Sequence, residues 1–246
     1  MGHKLGPPDR PLVGGKWKVW DPGNGAMWRI YHRDPRTPHA LHRRTFGPIS
    51  RFDPHRATSS GDRQEDPESR AATYLGADIA TAGAEVFWDD SPGPDIPARV
   101  CPRHWAAQLR TTAPIRLLDL VAENGFDEIG ALPELATGAS DAREVTQEWG
   151  VAIYEDLEAP GIWYPGAHQL GDCLVLFDTA PPLQFVFDGG LPRDRAIQSP
   201  GMWRRFKSAY TRGHRRRVEP ISSDECHRCQ ELGLPVLPVR ADLHRP

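Results

Sequence analysis

One carboxylate, Glu85, lies in a run of small residues within TYLGADIATAGAEVFWDD. Apolar positions recur at helical spacing from Ile79, which predicts a helix over about 79–88. Small neighbours such as Ala82 and Gly83 would let a ligand or a second backbone come close to this helix. A carboxylate held there could stabilise positive charge in a transition state. A solvated helix carboxylate would give the same pattern.

Two arginines are candidate anion ligands, because a guanidinium forms paired hydrogen bonds to phosphate oxygens. Arg29 lies inside MWRIYH, whose alternating β-formers predict a strand. A charge buried in a strand is costly without a partner, so we expect an anion or a structural carboxylate beside Arg29. Arg51, ahead of FDP, is the second candidate, and a surface arginine is its alternative.

Three further side chains join this candidate set. Tyr74 lies in a predicted short strand over 73–76, and its ring and hydroxyl could both serve a ligand. A core tyrosine at a strand end is the alternative. Tyr31 in the Arg29 strand and Gln147 in EVTQEW are additional candidates.

Composition indicates a globular protein with many loops. The 246 residues include 39% hydrophobic residues, 8 Trp, 25 Pro and 23 Gly. The net charge of -3 gives the whole chain no general attraction to nucleic acid or anionic lipid, and any such preference must be local. We found neither a signal-peptide core nor an apolar run that could span a bilayer, so we expect a cytoplasmic protein with reduced cysteines.

The order of predicted elements favours an α+β fold with mixed sheets and flanking helices. We predict strands at IRLLDL, GIWY, CLVLFD and LQFVF, a helix or turn at PRHWAAQL, and the longest helix from Asp141 to Leu157. Asp141 and Glu144 would form a capping box for that helix. The predicted organisation is an N-terminal extension (1–25), a main domain (26–190) and a basic C-terminal tail (191–246).

Several common enzyme signatures are missing from the sequence. It contains no GxGxxG after a strand, no GxxxxGK[ST], no GxSxG elbow and no HExxH. These absences argue against Rossmann, P-loop, serine hydrolase and zinc protease chemistry.

Four segments in order, WRIY, SRFDP, TYLGADIATAGAEVFWD and GIWYPGAHQLGDCLVLF, resemble the RES domain family, named for an Arg, a Glu and a Ser. The resemblance runs from about Met27 to Asp178. It aligns Trp28-Arg29 with the family's aromatic-Arg strand and Ser50-Arg51-Phe52 with its Gly-Arg-aromatic segment.

The same resemblance aligns Tyr74 with the end of a family strand and Glu85 with the family glutamate on the following helix. EVTQEW, which contains Gln147, resembles the helix before the last motif. The main departure is at the serine, since GIWYPG places Gly166 where many members carry the hydroxyl. Gly166 is therefore a candidate position in the site that lacks the family's side chain.

The resemblance implies an ADP-ribosyltransferase-like fold and a toxin that consumes NAD by phosphorolysis or hydrolysis, or that transfers ADP-ribose to a protein. It implies that Glu85 supports the ribose, that Tyr74 stacks on nicotinamide or bonds the ribose, and that Arg29 and Arg51 bind phosphate. An antitoxin or immunity protein is the implied partner. A catalytically weak NAD-binding or partner-binding protein remains the alternative of another class.

The basic tail could be an amphipathic helix packed on the domain through Trp203, Phe206 and Tyr210, a surface for an acidic partner, or a nucleic-acid contact. The packed helix is the reading that we adopt, so we expect neither a nucleic-acid nor a membrane partner.

The pair Cys226-x-x-Cys229 supplies half of a zinc site, and no second CxxC exists. His214 or His244 could complete such a site only at a non-standard spacing, so we expect no metal. The segment CHRCQELGLPVLPVR also resembles a part of some type VI secretion toxins, which leaves delivery into another cell open.

Overall fold

The computed structural model describes residues 6–87, 96–137, 143–166 and 171–240, together with Leu243. The chain divides into two compact units, each assembled from three separate segments. The first unit comprises Met1–Gly25, Leu41–Leu75 and Thr111–Gln184, and the second comprises Ala26–Ala40, Gly76–Arg110 and Phe185–Pro246.

Short strands outnumber helices among the described residues. The helices are α1 (Ile79–Phe87), α2 (Glu134–Thr137), α3 (Arg143–Asp156), α4 (Pro200–His214) and α5 (His227–Glu231). The strands are β1 (Trp17–Trp20), β2 (Met27–His32), β3 (Phe46–Gly47), β4 (Gln64–Glu65), β5 (Ala72–Gly76), β6 (Ala98–Val100), β7 (His104–Thr111), β8 (Ile115–Asp119), β9 (Gly161–Pro165), β10 (Asp172–Phe177), β11 (Leu183–Phe185), β12 (Phe187–Asp188), β13 (Leu191–Pro192), β14 (Asp194–Ala196) and β15 (Val218–Pro220).

The first unit is built on a mixed sheet with the strand order β1-β8-β9-β10-β5. β8 and β9 run parallel, whereas β1 pairs with β8 and β9 pairs with β10 in antiparallel fashion. The apolar face of α3 contributes Trp149 and Ile153 to a core that also holds Ile162 and Val175. This apolar face agrees with the periodicity of the sequence.

The second unit joins an antiparallel group of strands to two helices. β7 pairs with β2 from Met27↔Leu109 to His32↔His104, and β14 also pairs with β7. A separate parallel pair joins β15 to β6. The buried aromatic residues of α4 pack in one core with Ile79 and Phe87 of α1, so the tail forms the packed helix that its spacing predicts.

The structure confirms an α+β fold with mixed sheets and corrects one local prediction. PRHWAAQL belongs largely to β7, not to a helix or turn, because its small alanines lie between two paired strands. α3 begins at Arg143, directly after residues outside the described part, so the prediction of the longest helix at 141–157 stays a prediction. The region 1–25 contains β1, whose Trp20 is buried.

Other predictions fall on residues outside the described part. Trp88 and Asp141 lie there, so the predicted last residue of the first helix and the Asp141 capping box receive no structural description. Among the residues that the structure describes, every helix is too short or too polar to cross a membrane.

Candidate active site

A buried ion pair lies next to the candidate tyrosine of the first unit. Arg44 Nη2 donates to both carboxylate oxygens of Asp53, at 2.8 and 2.9 Å. Tyr74 Oη donates to Asp53 Oδ1 at 2.8 Å and accepts a hydrogen bond from the backbone N–H of Phe52 at 3.2 Å. Two side chains from separate segments thus meet on one carboxylate.

Asp53 also organises the loop that precedes it. Its Oδ2 accepts the backbone N–H groups of Ile49 and Ser50, the latter at 2.9 Å. His55 Nδ1 lies 3.7 Å from the same oxygen, and His55 Nε2 lies 3.1 Å from the carbonyl oxygen of Arg44. Because this loop carries Arg51, the carboxylate fixes the backbone on which that candidate arginine is mounted.

Folding shifts the pKa values of Asp53 and Tyr74 in opposite directions. Burial alone would raise the pKa of Asp53, but the Arg44 guanidinium and hydrogen bonds outweigh it and hold that pKa well below its usual range. Burial, followed by the charge of Asp53, raises the pKa of Tyr74 well above its usual value. Tyr74 is therefore a protonated donor at neutral pH and is unsuited to act as a base.

The remaining candidates of the first unit surround the same loop or end a strand. Gln147 on α3 donates through Nε2 to the carbonyl oxygen of Ser50 at 3.2 Å, and Arg51 is half-buried next to Ser50. Gly166 follows β9, is buried, and donates its N–H to the carbonyl oxygen of Gly171 at 2.9 Å. Tyr74, Arg51 and Gln147 are thus brought together around one loop.

In the second unit, Arg29 and Tyr31 both lie on β2 and are buried. The Arg29 guanidinium lies 5.6 Å from the centroid of the Tyr31 ring, and its Nη1 donates to the carbonyl oxygen of Ala40. Tyr31 Oη is 3.1 Å from each carboxylate oxygen of Asp194. The charge of Arg29 opposes the rise in the pKa of Asp194, and the structure leaves open whether an anion or a structural carboxylate is the main partner of that arginine.

Burial dominates the electrostatics of this pair. It raises the pKa of Tyr31, and the nearby charge of Asp194 raises it further. Burial also raises the pKa of Asp194, although the hydrogen bond from Tyr31 opposes the shift. Tyr31 therefore keeps its proton at neutral pH, and its hydroxyl donates a hydrogen bond to the carboxylate of Asp194.

Glu85 lies on α1 and is half-buried, whereas the small residues before it on that helix are buried. A Cβ added at Gly83 would lie 2.7 Å from Phe206 Cε2, and one added at Gly213 would lie 3.5 Å from Ala80 Cβ. At Ala80 and Gly83, close approach of another helix, α4, therefore explains the small side chains. The sequence left open whether a ligand or a second backbone required them.

Four potential metal ligands also meet in the second unit: His32, Cys101, Cys226 and Cys229. The CxxC pair supplies half of this set, as the sequence indicates, but His32 and Cys101 complete it in place of the histidines that we considered. His214, one of the predicted completing residues, instead places Nε2 2.9 Å from the carbonyl oxygen of Ala80. His244, the other, lies outside the described residues.

Comparison with known protein families identifies the chain. The family model for the RES domain matches residues 26–188, about two thirds of the sequence. The chain belongs to the RES domain family. This match confirms the family that the four sequence segments indicate, and the RES domain so defined includes all seven candidate site residues.

No curated relative matches this RES-domain protein. Among solved structures it is similar to a chain in the crystal structure of the M. tuberculosis MbcT-MbcA toxin-antitoxin complex. The TM-score is 0.45 and the sequence identity is 15%, and the match covers 79% of this chain and 92% of that chain.

Sequence reasoning missed three members of the network inside the RES domain, namely Arg44, Asp53 and His55. The segment SRFDPH contains two of them, so an acidic residue two positions after Arg51 was a visible signal. Arg44 has no comparable signal, because its nine-residue separation from Asp53 matches no helical or strand period.

Proposed function

We propose that this protein is an NAD-cleaving enzyme that breaks the bond between nicotinamide and ribose and acts as a growth-arresting toxin. Membership of the RES domain family over residues 26–188 carries this proposal. The chemistry of the candidate residues supports it. We also propose that the fold is ADP-ribosyltransferase-like. In this proposal the catalytic region spans residues 26–190 and lies between an N-terminal extension and a C-terminal tail.

Glu85 has the central role in the proposed reaction. When the C1′–N bond breaks, its electron pair leaves with nicotinamide and positive charge develops on the ribose. A carboxylate beside that sugar stabilises the transition state more than the ground state. The half-buried position of Glu85 supports this role, because partial burial strengthens its electrostatic effect while leaving the side chain accessible.

Arg29 and Arg51 are assigned to the pyrophosphate of NAD or to an incoming phosphate, since guanidinium groups recognise phosphate oxygens in pairs. The network around Asp53 supports the assignment of Arg51, because it holds the backbone of that loop through Ile49 and Ser50. The bond from Gln147 to the carbonyl oxygen of Ser50 adds a further constraint.

Tyr74 is assigned to stacking on the nicotinamide ring. Its hydroxyl is engaged by Asp53 and by the backbone of Phe52, which supports stacking over a hydrogen bond to ribose. Tyr31 is assigned to orienting Arg29, whose guanidinium lies 5.6 Å from the ring centroid. By resemblance to the family pattern, Gly166 takes the place of the family serine and supplies no hydroxyl.

The acceptor completes the reaction. Water gives ADP-ribose and releases a proton, inorganic phosphate gives ADP-ribose phosphorylated at the anomeric carbon, and a protein side chain gives an ADP-ribosylated protein. We assign water or phosphate, with protein modification as the alternative. Depletion of NAD by such an enzyme requires a neutralising antitoxin or immunity protein in the cell that makes it.

The test compares nicotinamide release by the parent protein and two variants, with NAD in phosphate buffer and in phosphate-free buffer. We expect release by the parent and by Glu144→Gln, an exposed helix carboxylate on α3. We expect at least about 100-fold slower release by Glu85→Gln. Circular dichroism and thermal unfolding check that both variants are folded.

The phosphate dependence of the parent identifies the acceptor. Equal release by Glu85→Gln and the parent would contradict the assigned role of Glu85. If nicotinamide appears only with cell extract, together with labelled protein, the reaction is ADP-ribosyl transfer. Saturable NAD binding without release under any of these conditions would contradict the enzymatic proposal.

A further inference from the structure

Three separate segments of the second unit bring four soft or borderline metal ligands together. His32 ends β2, Cys101 follows β6 directly, and Cys226 and Cys229 flank the start of α5. All four residues are buried, with exposures between 0% and 8%. Their ligand atoms all lie within 4.8 Å of one another.

The spacing of these atoms fits a tetrahedral ion. His32 Nε2 lies 3.2 Å from Cys229 Sγ and 3.8 Å from Cys226 Sγ, and the sulfurs of Cys101 and Cys229 are 4.0 Å apart. Zinc bonds of about 2.3 Å to sulfur and about 2.0–2.1 Å to nitrogen place neighbouring tetrahedral ligands roughly 3.5–3.8 Å apart. The observed separations bracket that range, so small side-chain adjustments would complete the coordination.

We propose that His32, Cys101, Cys226 and Cys229 form a structural Cys₃His zinc site. Four protein ligands complete the coordination of zinc and leave no position for water or substrate, which is the pattern of a structural and not a catalytic site.

The surroundings of His32 orient the required nitrogen. Its Nδ1 lies 2.9 Å from Asp34 Oδ2, and Arg228 Nε donates to the same oxygen at 2.7 Å. The backbone N–H groups of Arg36 and Thr37 donate to Asp34 Oδ1, at 2.8 and 3.1 Å. A proton on Nδ1 that is donated to the carboxylate leaves the lone pair of Nε2 facing the sulfurs. Such a carboxylate is the usual outer partner of a zinc-bound histidine.

A disulfide would explain the positions of fewer of these four side chains than a bound metal would. The four cysteines of the chain are free, and the sulfurs of Cys101 and Cys229 are 4.0 Å apart, compared with about 2.05 Å in a disulfide. A disulfide would join two sulfurs and would not explain why the third thiol and the oriented imidazole lie beside them. A zinc ion uses all four.

The site would attach the C-terminal segment to the strands of its unit. Among the described residues, the apolar cluster there contains Cys101, Ile221, Cys226 and Cys229, with Leu234 packed against it. So small a cluster supplies little burial, and metals often stabilise elements that lack a core of their own. The ion would connect the segment around α5 to the ends of β2 and β6.

The test uses the full-length protein purified without chelators from zinc-supplemented cells. We expect about one zinc per chain by elemental mass spectrometry, and X-ray absorption should give about three sulfurs at ~2.3 Å and one nitrogen at ~2.0–2.1 Å. This measurement needs no variant and is independent of any NAD reaction. Removal of zinc by chelation should speed proteolysis between residues 215 and 240, and added zinc should reverse this effect.

Variants separate the cluster from the other buried cysteine. Cys229→Ala should lower bound zinc at least about tenfold, whereas Cys173→Ala, in β10 of the first unit, should keep about one zinc per chain. Well under one zinc per chain in the parent protein, an absorption spectrum with no sulfur ligand, or a Cys101–Cys229 disulfide found after rapid thiol trapping would each overturn the proposal.

Discussion

Tyr74 and Asp53 are joined by a 2.8 Å hydrogen bond in which the phenol donates and the carboxylate accepts. The same carboxylate holds Arg44 and the backbone of the loop before it. The tyrosine expected to serve a ligand is therefore also part of the structure that holds the loop carrying Arg51. Stability and activity can be measured separately at this position.

Replacement of the Tyr74 hydroxyl should destabilise the protein. In Tyr74→Phe, Asp53 loses a donor and the Phe52 N–H loses its acceptor, so we expect the free energy of unfolding to fall by about 1–3 kcal/mol. Tyr154→Phe is the matched control, because Tyr154 bonds to Asp178 in a solvent-exposed position. The free energy of unfolding of this control should fall by about 0.5 kcal/mol or less. Urea unfolding measures both, and equal losses would contradict the structural role of Tyr74.

Acid should remove the contribution of Asp53. Its pKa is lowered by folding, so its stabilisation is present above the unfolded pKa of about 4 and is lost as the pH falls towards the folded value. Arg44, His55 and Tyr74 are the ionisable groups facing it. At pH 7 we expect Asp53→Asn to cost about 3–5 kcal/mol in unfolding free energy.

The difference between parent and Asp53→Asn should shrink below about pH 4, by at most about 1.4 kcal/mol per pH unit. Urea unfolding from pH 7 to pH 3 would measure it. Asp127→Asn, at an exposed carboxylate, controls for the general effect of acid. A difference that stays constant with pH would show that the ionised carboxylate does not stabilise the fold.

Two glycines at the contact between α1 and α4 should respond to alanine with opposite signs. A Cβ at Gly83 would lie 2.7 Å from the buried Phe206 ring, so overpacking should exceed the gain in helix propensity and cost about 1 kcal/mol. At Gly213 the nearest atom would be 3.5 Å away, so Gly213→Ala should gain about 0.5–1 kcal/mol. Thermal unfolding of both variants tests this, and a stabilised Gly83→Ala would refute the tight contact.

A serine at position 166 tests the main departure from the family pattern. If the proposed NAD cleavage is correct, Gly166→Ser should raise the kcat for nicotinamide release by about tenfold, equivalent to about 1.4 kcal/mol from one added hydrogen bond in the transition state. Unfolding curves of the variant control for a general change in stability. Unchanged or reduced kcat in a folded variant would mean that this chain does not use a hydroxyl there.

The sequence correctly predicted elements whose own residues have a clear strand or helix period. β2 follows the alternation of MWRIYH, and α1 begins at Ile79 as its helical spacing indicates. β7 was missed because a run with adjacent alanines has no strong period of its own. Its conformation is set by pairing with β2 and β14, which sequence spacing does not reveal.

The candidate residues were accessible to sequence reasoning, but their surroundings were not. The family pattern singled out Tyr74, whereas Arg44 and Asp53 meet it only through the folded path of the loop. The sequence showed Cys226 and Cys229, but their approach to His32 spans more than 190 positions. Such distant contacts follow from strand pairing and have no short spacing by which to recognise them.

The parallel pairing of β15 with β6 also affects how the protein is made. Ala98 reaches its partner Val218 only after more than a hundred further residues have been synthesised. At roughly 5–20 residues per second, translation of that interval takes on the order of ten seconds. During this time the nascent second unit lacks a strand and the aromatic residues of α4, so this half of the protein must finish folding late, after the ribosome has translated most of the message.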